Sequence, residues 1–262
     1  MIEKGQSIHK KNVKRLLEID SESKQINFLD NRFYKRNENY YPSVTSILQY
    51  FPKGKFFENW LKDVGHNADI IAQKSADEGT QTHSLIEKYL TGEQIDWLDE
   101  KGHALCSLNV WQMLLKFVEF WEREKPELVE SEIHLFSDTH KIAGTCDLVV
   151  KMKNEMWILD IKTSNSVHTS YDLQLAAYTT CWNEHYEEKV TRTGILWLKS
   201  SKRGEDKKGE KIQGKGWEIY ESPRTIEENW VLFTKVYDLF KLENTQNEPT
   251  FNKLPMSVKL KS

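Results

Sequence analysis

The order of hydrophobic periodicities along the 262 residues predicts an α/β protein. Three observations carry it. Helical spacing of apolar residues dominates up to about residue 124; three strand-like runs separated by tight turn signals follow Pro126; a helix, two further strands and a closing helix complete the pattern. Hydrophobic residues make up 38% of the chain, with nine Trp, ten Tyr and eleven Phe, which is enough for one sizeable core and excludes a disordered chain.

Residues 8–19 read as a short basic helix, followed by a hairpin in which QINFL and RFYK flank Asp30-Asn31. Pro42-Ser43-Val44-Thr45 reads as a helix start with Ser43 as the capping residue. Pro52 with Gly54, Gly79 with Thr80, and Gly92 punctuate the helical stretch and predict boundaries there. The segment Ala104 to Glu124 is the clearest helix, and its stripe Leu108, Trp111, Leu115 and Val118 is expected to face the core. Then come ELVESEIHLF, KIAGTCDLVVKM and EMWILDIKT, joined by Ser137-Asp138-Thr139-His140 and by Lys153-Asn154, the pattern of an antiparallel meander. A helix is predicted over about 169–186, strands at TGILWL and GWEIYE, and a closing helix at TIEENWVLFTKVYDLF. Between the last two strands, KSSKRGEDKKGEKIQGK (199–215) predicts a long mobile loop. The expected division is a helical section over 1–125 integral to the same domain, a core over 126–245 and a tail over 246–262.

No run approaches the roughly 18 apolar residues that cross a bilayer, and the opening segment lacks the apolar stretch of a signal peptide. With one Arg and the acidic Glu3, Glu18 and Asp20, that segment is also unlike a mitochondrial transit peptide, so a cytoplasmic protein without a membrane partner is expected. Cys106, Cys146 and Cys181 form no CxxC pair and are one short of a four-cysteine iron–sulfur set; they read as small hydrophobes.

The chemistry concentrates in Gly144-Thr145-Cys146-Asp147 and Asp160-Ile161-Lys162. Both aspartates sit in or at the ends of apolar strands, where an ionised carboxylate is costly unless compensated, and a divalent cation would compensate it. Side chains alternate along a strand, so Asp160 and Lys162 share a face. A buried Asp–Lys ion pair is the plainer reading of that triplet alone.

Together these residues resemble the PD-(D/E)XK nuclease superfamily, in particular its RecB-like exonuclease branch. There a G-x-x-D strand precedes a D-x-K strand and a Q-x-x-x-Y helix follows. The matching positions are Gly144 to Asp147, Asp160-Ile161-Lys162 and Gln174 with Tyr178. His83, in a helix starting near Gly79-Thr80, resembles the branch's upstream metal-binding histidine, and Glu132 resembles its acidic residue on the preceding strand. PSVTSIL at 42–48 is similar to the N-terminal segment of phage-type and mitochondrial genome maintenance exonucleases. Cys146 stands where the name-giving proline would be, a departure common among RecB-like members.

The resemblance implies a restriction-endonuclease-like core with a central mixed sheet flanked by helices. It implies one or two Mg²⁺ or Mn²⁺ ions held by Asp147, Asp160, His83 and the carbonyl of Ile161, with Lys162 handling the attacking water and Gln174 and Tyr178 positioning strand or lysine. The expected activity is metal-dependent exonucleolytic hydrolysis of DNA, single strands included, with replication or recombination proteins as partners. A restriction-like endonuclease and a non-catalytic DNA-binding module are the alternatives.

Ser43 and Thr45 are candidate phosphate contacts at a helix start, against the plainer reading of a helix cap. Lys202, Arg203, Lys207 and Lys208 are candidates in the basic loop. Tyr40, Tyr41, Phe56, Phe57 and Trp60 could stack bases or belong to the core. The net charge of −3 hides a partition: residues 1–15 carry +4, residues 199–215 another +4, and the remainder −11. Positive charge is thus set apart from the carboxylates that a metal would neutralise.

Overall fold

A computed structural model describes residues 24–28, 31–37, 39–198, 204–205, 211–212, 216–245 and 249. Three strands, β1 (Lys24–Phe28), β2 (Asn31–Arg36) and β3 (Asn39–Pro42), form a small antiparallel sheet in the order β1-β2-β3. The predicted hairpin is β1–β2, and β3 adds a strand directly before the helix start. A short helix, α1 (Val44–Ile47), is capped by Ser43 and leads through a 3₁₀ turn to α2 (Gly54–Val64), α3 (Ala68–Leu90) and α4 (Leu108–Glu124).

The meander follows as β4 (Glu127–Ser137), β5 (Ile142–Met152) and β6 (Glu155–Lys162). Lys153 and Asn154, both with positive φ, close the β5–β6 hairpin, as a two-residue turn that keeps the strand twist requires. From β6 the chain crosses through α5 (Thr169–His185) to β7 (Arg192–Trp197), which pairs parallel to β6. The minimal strands β8 (Gly204–Glu205) and β9 (Lys211–Ile212) pair with each other within the basic segment, β10 (Glu218–Tyr220) pairs with β7, and α6 (Ile226–Glu243) closes the chain behind a Thr225–Glu228 capping box. The central sheet is therefore mixed, with the order β10-β7-β6-β5-β4. The expected helix at 8–19, the residues Lys202, Arg203, Lys207 and Lys208, and all of the 246–262 tail but Pro249 lie outside the described residues.

Each face of the sheet buries its own core. Ile133, Leu135, Cys146, Val149 and Ile158 meet α1, α5 and α6 on one side, while Leu148, Val150, Leu159 and Ile161 meet α3 and α4 on the other. Strands buried on both faces explain the near-continuous apolar runs of β5 and β6. Cys146 and Cys181 are fully buried, as expected of small hydrophobes; Cys106 is half-buried.

Two expectations need correction. In α4 the buried residues are Val110, Met113, Leu114, Phe117 and Phe120; of the expected stripe, Trp111 and Val118 are half-buried against the same core, whereas Leu108 and Leu115 are 53% and 49% exposed. The helix is apolar on two faces, and spacing alone does not say which one the sheet takes. Gly79 does not start a helix but lies inside α3, which begins at Ala68. A Cβ there would stand 3.2 Å from the Thr163 hydroxyl oxygen, so the glycine serves a close helix–strand approach.

Candidate active site

The ladder between β4 and β5 pairs Ser131 with Leu148 and Ile133 with Cys146, which sets Glu132 opposite Asp147, yet these two do not pair. Glu132 has φ +48, a left-handed conformation that a non-glycine residue adopts in mid-strand only under constraint. Around Asp147 the inside–outside alternation of β5 also breaks, since Cys146 enters one core and Leu148 the other. The strands are locally irregular at the two carboxylates.

α3 brings the histidine. Gly79 passes Thr163 at the end of β6, and one turn later on the same helix face His83 lies over the sheet edge. Its Nε2 is 3.1 Å from the Ile161 carbonyl oxygen, and its Nδ1 is 3.3 Å from Glu132 and 3.8 Å from Asp147. Burial alone would lower the imidazole pKa, but the Asp147 charge and the hydrogen bond to Glu132 outweigh it and raise it to about 9. His83 is thus an imidazolium donating from both nitrogens, and it must release a proton before it can serve as a metal ligand.

β6 contributes Asp160 and Lys162 on one face, as alternation requires. Asp160 is 1% exposed; one carboxylate oxygen lies 2.7 Å from Lys162 Nζ, and the other accepts from Gln174 Nε2 at 3.0 Å. The second N–H of that amide donates to the Tyr178 hydroxyl at 3.1 Å. Desolvation, only partly offset by Lys162 and aggravated by Asp147, lifts the Asp160 carboxyl to about 6. Asp147 is raised as well, by desolvation first, although His83, Lys162 and the Ile161 N–H donating to it at 2.7 Å oppose the rise. Lys162 is held above its usual range because the Asp160 and Asp147 charges outweigh its own desolvation.

Of the residues expected from the G-x-x-D, D-x-K and Q-x-x-x-Y patterns, Asp147, Lys162, Gln174 and Tyr178 line a cleft of about 570 Å³ together with His83 and Glu132, while Asp160 is buried behind Lys162 and Gln174. Thr45 lines it too, while Ser43 is buried and spent on the cap, accepting from Thr45 N–H at 3.2 Å. Of the proposed stacking residues, Tyr41 is buried, and Phe57 and Trp60 are half-buried on α2 with ring centroids 5.7 Å apart. The cleft also contains Arg32, Tyr34, His134 and Thr145, which the sequence reading did not single out. Only alternation links them to it in the sequence: Thr145 is two residues from Asp147, and His134 two from Glu132.

Carboxylate and imidazole atoms of His83, Glu132 and Asp147 lie within 4.8 Å of one another. Two carboxylates, one of them desolvated, and an imidazole form a donor set that fits a hard or borderline divalent ion. A second group, Asp138, Glu184 and His185, is as tightly clustered but carries the Arg36 guanidinium on Asp138.

A mixed five-stranded sheet between helical layers, with this cleft at the irregular edge of β4, β5 and β6, defines a restriction-endonuclease-like α/β protein. The model of the PD-(D/E)XK nuclease superfamily matches residues 33–256, and the chain belongs to that superfamily. It is similar to the Gene 69 protein of Mycobacterium phage L5, with 26% identity over 152 residues that cover 56% of this chain and 49% of that protein. The chain thus spans about half the length of the curated relative it matches. A candidate exonuclease from Eubacterium rectale aligns with a TM-score of 0.40 and 12% identity over 71% of this chain and 77% of its own. No helix among the described residues is long and apolar enough to cross a membrane.

Proposed function

We propose that the protein is a Mg²⁺- or Mn²⁺-dependent deoxyribonuclease that degrades DNA from its ends, single strands included. One observation carries the reading: at one open cleft His83 of α3 meets Glu132 of β4 and Asp147 of β5, and Asp147 accepts from the Ile161 N–H of β6, the strand that carries the Asp160–Lys162 pair. Preference for ends rests on the resemblance carried by His83 and the Gln174–Tyr178 pair. A setting in phage or bacterial replication and recombination accords with the phage relative.

Asp147, Asp160, Glu132, His83 and the Ile161 carbonyl would hold one or two ions. When bound, such an ion acidifies water and offsets the charge that grows on phosphoryl oxygens. Lys162 keeps its proton near neutral pH, so its part is to orient a water molecule or steady a phosphate oxygen, not to abstract a proton. Gln174 spends both amide protons on Asp160 and Tyr178 and so fixes the carboxylate rotamer. That places Gln174 and Tyr178 as positioning residues.

The test uses linear DNA labelled at either end, single- and double-stranded, beside closed circular DNA. Wild-type protein should degrade the linear substrates with Mg²⁺ or Mn²⁺, and Asp160→Ala or Lys162→Ala should lose roughly 10²–10³-fold or more while remaining folded. Efficient nicking of the circle would replace the exonuclease reading with an endonuclease. Full activity in either variant, or none in wild type, would remove the assignment.

A further inference from the structure

The cleft has an electrostatic gap. Glu87, Glu132 and Asp147 line it and Asp160 lies beneath. Among the described lining residues the groups able to carry positive charge are Arg32, His83, His134 and Lys162. His83 is engaged by Glu132 and Asp147, and Lys162 by Asp160. A polyanionic strand entering such a site needs a cation not already spent on the protein's own carboxylates.

Arg32 meets that need. Its backbone is locked, with N–H donating to Ser46 Oγ at 2.7 Å and C=O accepting from Ser43 N–H at 2.8 Å. Its side chain is exposed, and no ion pair or hydrogen bond engages the guanidinium among the described residues. The face it occupies follows from register. Arg36, Tyr34 and Arg32 alternate onto one side of β2; the Arg36 guanidinium lies 4.7 Å from the Phe136 ring centroid, and the Tyr34 ring lies 5.2 Å from that of His134. Two residues along β2 therefore match two along β4, and Arg32, the next residue on that face, lines the same cleft as Glu132. The Tyr34 hydroxyl, 2.8 Å from Thr145 Oγ1, ties this wall to the strand that carries Asp147.

We propose that Arg32 is a phosphate-binding residue, gripping one backbone phosphate of the bound strand from the β2 side of the cleft and so holding the neighbouring linkage over the carboxylates. A guanidinium presents a planar fork that matches two phosphate oxygens, on a strand that holds it at fixed depth in the cleft. The inference rests on the nuclease reading for its substrate.

Oligonucleotides bearing a single uncharged methylphosphonate at successive positions test it with the full chain. One position should cost wild-type protein about tenfold in kcat/KM, as loss of one charge-assisted contact does. Arg32→Ala should lose a similar factor on unmodified DNA, mostly through KM, and be indifferent to that position; Arg32→Lys should recover part of the loss. In metal-free buffer, fluorescence anisotropy should give Arg32→Ala a salt dependence of binding shallower by about 0.7 in log–log slope on a single strand. An unchanged slope, or an Arg32→Ala profile as sensitive to every linkage as wild type, overturns the proposal. If wild-type protein cleaves nothing, the nuclease reading falls, while the binding slope still decides whether Arg32 holds a phosphate.

Discussion

Gly144 shows what a single residue decides at this site. A Cβ there would lie 2.5 Å from Tyr178 Cε1, a distance no packing tolerates, so the glycine of the G-x-x-D pattern is the seat of the tyrosine ring of Q-x-x-x-Y. That ring's hydroxyl receives the Gln174 amide, whose other proton holds Asp160. Gly144→Ala should push the ring away, cost about 1–3 kcal/mol as overpacking does, and lower kcat more than the stability loss explains at a temperature where the variant is folded; thermal melts and single-turnover rates on one preparation check this. Glu132 is the complementary case. Its left-handed backbone costs about 1–2 kcal/mol, so Glu132→Asn, which tolerates that conformation better, should melt no lower than Glu132→Gln while both lose activity. The residue identities of the site are legible in the sequence through the motifs by which it resembles the nuclease superfamily. The reason Gly144 is a glycine is not, because the atoms that exclude a side chain lie 34 positions away.

At the scale of elements, α4 and α3 show how two rules compete. α4 carries two apolar stripes, and the buried one holds Phe117 and Phe120 against Leu148 and Val150 of the sheet. Phe117→Ala should cost about 3–5 kcal/mol and Leu115→Glu less than about 0.5 kcal/mol, read from denaturant midpoints. The reverse ranking would mean that the Leu108–Leu115 face is covered in solution. In α3, Gly79 reads as a boundary because glycine costs about 1 kcal/mol in a helix interior. The helix runs through it, and the missing side chain leaves room where α3 passes the Thr163 hydroxyl and brings His83 onto the Ile161 carbonyl. In α5 the two levels agree: its residues from Asp172 to Thr179 are all buried, with almost no amphipathic bias, as suits a crossover helix between the sheet and α6.

Across the whole molecule, the small β1–β3 sheet is a wall of the cleft only while it stays docked. Beyond the Tyr34–Thr145 contact, docking depends on Arg36, which is buried and paired with Asp138, itself bonded by the Tyr41 hydroxyl at 2.9 Å. His185 and Glu184 surround that pair, and Glu184 accepts from the backbone N–H groups of Asp138 and Thr139. Desolvation holds the His185 pKa below 6.5 despite Glu184 and Asp138. Although burial opposes it, hydrogen bonds from Arg36 and Tyr41 hold the Asp138 carboxyl below 3.8. Both folded-state values are depressed, so the unfolded chain binds more protons, and the stability these groups contribute is present above pH 6.5 and lost as pH falls. Amide exchange of β2 and β3 should therefore accelerate first below pH 6.5 and again below 3.8. Asp138→Asn should speed it already at neutral pH, and unchanged protection in that variant would show that the sheet is held by its apolar contacts alone.

The local pattern of the chain reveals the class of fold, the order of the meander, the crossover helix and the closing helix, and its motif resemblance picks out Asp147, Asp160, Lys162, Gln174, Tyr178, His83 and Glu132. It could do so because period and turn chemistry are local, and because i, i+2 and i, i+4 spacings assign faces without a partner. Tertiary packing settles which stripe of α4 lies deepest, why Gly144 carries no side chain, and that Arg32 and Tyr34 of a separate small sheet complete the cleft. Each of these depends on atoms contributed by distant segments, and close packing, not periodicity, sets where those atoms meet.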